Sequence, residues 1–231
     1  MTSIAANLQA VRARIAAACI AAGRVPESVQ LLAVSKTWPA ALVREAAAAG
    51  QRAFGENYVQ EAVAKAAELR DSGLEWHFIG PLQGNKTRQV AENFAWVHSV
   101  ERLKIAERLA AQRPADLPAL QVCLQVNVSG EASKSGCTPQ QALGLAAAIG
   151  QLPGLRLRGL MAIPEPTTEV LRLRSQFALL RGTLERINAE LGSGLDTLSM
   201  GMSGDLEAAI MEGATMVRIG TAIFGKREYA T

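Results

Sequence analysis

Histidine and cysteine are scarce in this chain of 231 residues, which has only His77 and His98 of the one and Cys19, Cys123 and Cys137 of the other. An odd number of widely spaced thiols offers no disulfide pairing pattern. Neither histidine stands at a metal-ligand spacing from a cysteine, so a reducing cytoplasm and no zinc are expected. An excess of one charge is lacking too. The 24 basic and 21 acidic residues give a net charge of +3 and are interspersed. Without a dense basic stripe, nucleic acid is not an expected partner. Nor is there a long apolar run: Arg12 and Arg14 interrupt the N-terminal pattern, whose uncharged stretches are too short to span a bilayer. Neither a membrane nor an export signal is indicated. No long linker or low-complexity segment divides the chain, so residues 1–231 are expected to form a single domain.

What is present is a foldable apolar pattern, 49% hydrophobic against 19% charged. Ile4, Leu8, Val11 and Ile15 recur at helical spacing, which predicts a helix over residues 2–22 closed by Gly23. Short apolar runs then alternate with helical patterns. The runs fall at 29–35, 53–55, 75–79, 96–99, 120–128, 155–161, 195–200 and 215–219. The intervening helices fall at 40–49, 58–69, 85–93, 102–112, 139–149, 168–191 and 206–212. This is about eight strand-helix units, the count of a closed parallel (β/α)8 TIM-type barrel, with an open doubly wound sheet as the competitor. Residues 53–55 make the weakest strand. In 120–128 the apolar residues alternate with Gln121, Cys123, Gln125 and Asn127, as in a barrel strand whose second face is partly polar and can line the interior.

Two segments can carry chemistry. Residues 31–36 (LLAVSK) are a buried-strand run ending in Lys36, where the C-terminal rim of a parallel α/β fold builds its sites. Low dielectric there favours the neutral amine that attacks carbonyls, giving a Schiff-base lysine; a lysine snorkelling to solvent is the alternative. The second segment is residues 198–205 (LSMGMSGD), followed by 217–221 (VRIGT). Glycines that admit an anion, with serine and threonine hydroxyls beside helix starts, suit a phosphate cup after the seventh and eighth strands; plain helix capping suits them as well. Arg218 closes an apolar strand and needs an acceptor, either a rim carboxylate or a cofactor ring nitrogen. Residues 54–58 (FGENY) and 79–86 read as loops on the same rim. His77 reads as a satisfied core histidine, and Lys134 as a solvated lysine in a polar loop.

Together these stretches resemble the pyridoxal-phosphate homeostasis protein family, whose fold is like the N-terminal barrel of alanine racemase. The resemblance rests on residues 31–37 (LLAVSKT), 54–61 (FGENYVQE), 76–82 (WHFIGPL), 159–164 (GLMAIP), 198–203 (LSMGMS) and 217–225 (VRIGTAIFG), and so covers essentially the whole chain. It implies pyridoxal 5′-phosphate as cofactor, held as an internal aldimine on Lys36. Ser199, Ser203, Gly220 and Thr221, with the backbone around Met202, would hold the phosphate. Arg218 would face the pyridine nitrogen, and Asn57 and Met161 would line the ring. Many relatives carry a second lysine two residues after the first, where this chain has Trp38.

An arginine cannot give the ring nitrogen its proton, which weakens the cofactor as an electron sink. Alanine racemase shares such an arginine and adds a tyrosine base beside a second domain. Neither Tyr58 nor Tyr229 stands in an evident base position here. The role implied is a cytoplasmic, monomeric carrier or buffer of pyridoxal phosphate without evident catalysis, exchanging it with pyridoxal-phosphate-dependent apo-enzymes. A low-efficiency amino-acid racemase is the first alternative, and a cofactor-free aldolase acting on a phosphorylated sugar a weaker one.

Overall fold

The structure, a computed structural model, describes residues 3–131 and 134–225. Helix α1 (Ile4–Ala21) starts at Ser3, whose hydroxyl accepts the Ala6 N–H at 3.2 Å. Its stripe of Ile4, Leu8, Val11, Ile15 and Cys19 is buried. By length and apolarity α1 passes for a membrane span, but here that stripe joins the core of the barrel. Arg12 and Arg14, which break the apolar pattern, reach outward to Gln51 and Glu207.

Eight parallel strands then close on themselves: β1 (Gln30–Val34), β2 (Ala53–Glu56), β3 (Glu75–Phe78), β4 (Trp96–Val100), β5 (Leu120–Gln125), β6 (Leu155–Met161), β7 (Thr197–Ser199) and β8 (Met216–Ile219). Closure is carried by β1 against β8, in register from Gln30 with Met216 to Ala33 with Ile219, which rules out the open sheet. The weakest expected strand, β2, pairs with both neighbours. Between strands run α2 (Ala40–Ala48), α3 (Val59–Glu68), α4 (Thr87–Asn93), α5 (Leu103–Gln112), α6 (Pro139–Ile149), α7 (Val170–Leu191) and α8 (Leu206–Met211), and a short α9 (Thr221–Phe224) follows β8.

Three boundaries differ from the sequence pattern. The β5 strand ends at Gln125, although the apolar alternation continues to Val128. Val126 makes only an isolated bridge to Cys137, and Asn127 turns the chain, its Oδ1 accepting the Ser129 and Gly130 N–H groups at 3.2 Å each. The β7 strand shrinks to three residues, and α9 has too few residues to announce itself by periodicity.

The two faces of each strand are sorted sharply. Outward residues such as Phe54, Phe78, Val97, Leu124 and Val217 form one continuous apolar layer beneath the helices. Full burial of such a side chain stabilises by roughly 1.5–3 kcal/mol. Inside the barrel the apolar groups are small and separate, Leu32 with Ala53 and Met216, and Trp96 with Cys123 and Met161. Beside them the interior holds a polar set: His77, His98, Ser199 and Arg218 are all buried. Such groups persist away from water only when hydrogen-bonded to one another.

Candidate functional site

The C-terminal ends of β1, β2, β7 and β8 meet around a cavity of about 290 Å³, whose walls include Lys36, Asn57, Met202, Ser203, Arg218, Gly220 and Thr221. Two other hollows of about 360 and 600 Å³ hold none of these residues, so volume is a poor guide to the chemistry here. Lys134 lines a smaller hollow that shares Ile79 and Ile163 with the cavity.

Lys36 stands two residues beyond the end of β1, half-buried, on a turn that continues through Thr37. Thr37 has φ +67°, a left-handed conformation that a β-branched residue seldom adopts. Such strain costs on the order of 1–3 kcal/mol and persists only where the surroundings impose it. The surroundings are a buried ionic cluster on the outer face of β1 and β2. Lys65 Nζ of α3 donates to Ser35 O at 2.7 Å, Glu56 Oε1 at 2.8 Å and Glu61 Oε1 at 2.6 Å. Glu61 Oε1 also accepts the Thr37 N–H at 2.5 Å, and Ser35 Oγ donates to Glu56 Oε1 at 2.6 Å. The residues on either side of Lys36 are thus anchored to one carboxylate–lysine cluster. Burial raises the pKa of Glu56, against the lowering pull of Lys65 and Ser35.

The loop after β7 and the short α9 after β8 form the opposite wall. The Met202 N–H donates to Asp205 Oδ1, and Ser203 O accepts from Arg14 Nη1 of α1 at 2.9 Å. Asn7 of α1 donates to Ile223 O at 2.8 Å, so one N-terminal helix braces both arms. Among the described residues the backbone N–H groups of Ser203, Gly204, Gly220 and Thr221 have no partner. A Cβ at Gly220 would stand 3.2 Å from Val34 O, closing the seam where β8 leaves β1. On the β2 side, a Cβ at Gly80 would sit 2.5 Å from Asn57 O, so only glycine lets the β3 loop seat Asn57 at the cavity. Asn57 Oδ1 is buried there without a hydrogen-bond partner. Trp38 stacks on Phe224 of α9, ring centroids 6.2 Å apart, and forms part of the wall.

Arg218 rises from the barrel interior to the cavity floor. Its Nη1 donates to Ser199 O at 2.6 Å and Ser199 Oγ at 2.9 Å, and its Nη2 donates to Ala162 O at 2.9 Å. None of the carboxylates among the described residues pairs with it. Burial lowers its pKa to about 10, which leaves it a cation at neutral pH.

Two expected site residues do not line the cavity. Ser199 is fully buried beneath the cavity, its hydroxyl bonded to Arg218 and to His98 Nδ1 at 2.8 Å. Met161 points into the interior beside Trp96 and Cys123 and is absent from the cavity wall. Both placements have one cause: β6 and β7 direct these side chains inward below the rim. Tyr58 is 54% exposed at the start of α3, and Tyr229 lies outside the described residues. Sequence reasoning missed Glu56, Glu61 and Lys65. The acidic pair was visible in FGENYVQE, and Lys65 follows Glu61 at the i,i+4 spacing of helical ion pairs.

A sequence profile of the alanine racemase N-terminal domain matches residues 3–228. The pyridoxal phosphate homeostasis protein of Pseudomonas aeruginosa is 67% identical over 99% of this chain and 98% of its own length. That of Escherichia coli K12 is 56% identical over 100% and 99%. The structure of PipY from Synechococcus elongatus with PLP bound superposes with a TM-score of 0.85 at 40% identity, covering 96% of this chain and 100% of that one. Alanine racemase from Corynebacterium glutamicum, at 19% identity and a TM-score of 0.66, shares the fold over 96% of this chain and 62% of its own.

Proposed function

Because the chain belongs to the alanine racemase N-terminal domain family and, within it, to the pyridoxal phosphate homeostasis proteins, we propose that it binds pyridoxal 5′-phosphate covalently through Lys36 and serves as a carrier. It takes up, shields and releases the cofactor in the cytoplasm, as a monomer, for apo-enzymes that need it. One observation carries the reading: a lysine, a buried arginine that pairs with no carboxylate among the described residues, and two hydroxyl-bearing loops face a single cavity of about 290 Å³.

The residues present fit the group. Unpartnered N–H groups at Ser203, Gly204, Gly220 and Thr221, with the Ser203 and Thr221 hydroxyls, form a donor set for a phosphate. The side-chain amide of Asn57, whose oxygen is buried without a partner, can turn either end to a ring substituent. Arg218 offers the ring nitrogen a donor that does not surrender its proton.

Pyridoxal phosphate supplies, when bound, an aldehyde for amines and a ring that draws electrons. This chain's own residues restrain that chemistry. Arg218 would leave the ring nitrogen unprotonated, Trp38, stacked on Phe224, lines one wall of the cavity, and Tyr58 at the start of α3 is exposed to solvent. The test is a visible spectrum before and after borohydride, followed by peptide mapping. Cofactor absorbance and a label fixed on Lys36 are expected. A colourless protein, or a label on Lys86 or Lys134, would overturn the assignment.

A further inference from the structure

Building on the cofactor reading above, we propose that Glu75, His77, His98 and Ser199 are positioning residues for the ring-nitrogen side of the site. They form a one-directional hydrogen-bond chain that seats Arg218 and ties its charge to a carboxylate at the opposite mouth of the barrel.

The direction follows from the two ends. A guanidinium has donors only, so Ser199 Oγ accepts from Arg218 Nη1 at 2.9 Å and turns its own hydrogen to His98 Nδ1 at 2.8 Å. His98 Nδ1 is then bare and its hydrogen sits on Nε2, facing His77 Nδ1 at 2.9 Å. The same logic puts the His77 hydrogen on Nε2, against Glu75 Oε1 at 2.8 Å. With a donor-only group at one end and a carboxylate at the other, one assignment of tautomers satisfies every link. Since β4 and β7 are not neighbours in the sheet, the His98–Ser199 bond crosses the barrel interior.

Burial and the Arg218 charge favour that assignment, and on His77 burial outweighs the opposing pull of Glu75. Both imidazoles and Ser199 are fully buried, whereas the Glu75 side chain is 40% exposed. Trp96 stacks on His77 with centroids 5.3 Å apart and an interplanar angle of 8°. The groups whose fields reach the pair are Glu75 on His77, and Arg218 on His98. A proton added to His77 would reverse the His98 tautomer and turn the Ser199 hydrogen away from the chain, and one added to His98 would meet the Arg218 cation. Barrel interiors are commonly filled with branched apolar side chains. Here two histidines and a serine stand where such residues would pack, in line between the cavity floor and the far mouth.

Three measurements test this. In the cofactor-free protein, long-range ¹H–¹⁵N spectra should show both imidazoles neutral and protonated on Nε2 at neutral pH. A hydrogen on Nδ1 of either ring, or an imidazolium, would refute the chain whether or not any cofactor binds. Glu75→Gln keeps an acceptor but removes the charge. In the loaded protein the pH midpoint of the visible absorption change should then fall by about half a pH unit, because the positive field at the site is less compensated. An unchanged midpoint would sever the proposed coupling. Ser199→Ala should weaken pyridoxal phosphate and unphosphorylated pyridoxal by the same factor, about ten-fold. A loss confined to the phosphorylated ligand would make Ser199 a phosphate contact and overturn its positioning role. If the wild-type protein bound no cofactor at all, the function would fail while the spectra still decided the chain.

Discussion

The buried histidine pair makes folding stability depend on pH in a calculable way. Desolvation lowers the pKa of His77 and holds that of His98 well below the ordinary value, the latter reinforced by His77 and Arg218. In the unfolded chain both titrate near 6.5, so on acidification the unfolded state takes up protons that the folded interior refuses. Stability is therefore full above that pH and lost as pH falls, until the folded imidazoles themselves protonate. Each histidine that stays neutral contributes a slope of up to about 1.4 kcal/mol per pH unit. Between pH 7 and pH 5 that amounts to at most about 2 kcal/mol apiece, or about 4 kcal/mol for the pair. Against whole-domain stabilities of about 5–15 kcal/mol, that upper bound is within reach of an unfolding measurement. Urea unfolding of the cofactor-free protein across this range measures it. His77→Gln, at the end of the pair bonded to Glu75, should remove its share of the slope even if it lowers stability overall. Equal stability at pH 5 and pH 7, or a slope untouched by that substitution, would refute the neutral buried pair.

Three further outcomes are expected. Ser203→Ala and Thr221→Ala should each weaken pyridoxal phosphate binding by about 1.5–3 kcal/mol while barely changing affinity for pyridoxal, as competitive titrations of the two aldehydes would reveal. Lys65→Met leaves Glu56 and Glu61 without their shared cation and should cost about 3–5 kcal/mol in urea unfolding; a loss below about 1 kcal/mol would mean that the cluster does not hold the Lys36 turn. Mixed with alanine, serine or glutamate in heavy water, the loaded protein should show negligible α-proton exchange by NMR; sustained exchange that Lys36→Ala abolishes would promote the racemase alternative over the carrier.

Local pattern was enough for much of this molecule. The apolar stripe of α1 and the run that became β1 are written in consecutive residues, because amphipathic periods of 3.6 and 2 depend only on which face meets the core. Even the weak strand at Ala53 was legible, flanked as it is by helical patterns that a barrel must separate. The end of β5 was not, because the turn at Asn127 depends on side-chain bonds that its apolar alternation conceals. The cup loops and Lys36 were readable because glycine, hydroxyl and rim lysine are chemical types tied to strand ends. The burial of Ser199 and Met161 beneath the cavity was not legible, because a motif gives adjacency along the chain, whereas the strand pleat decides whether a side chain points to the cavity or beneath it. What only the tertiary structure decided is which distant residues meet. Lys65 is 29 positions beyond Lys36 yet bonds to Ser35 next to it, and His98 reaches Ser199 across 101 residues because barrel closure brings β4 opposite β7. Sequence fixes the donors and acceptors each residue carries; closing the sheet puts them within the 2.6–2.9 Å at which they act.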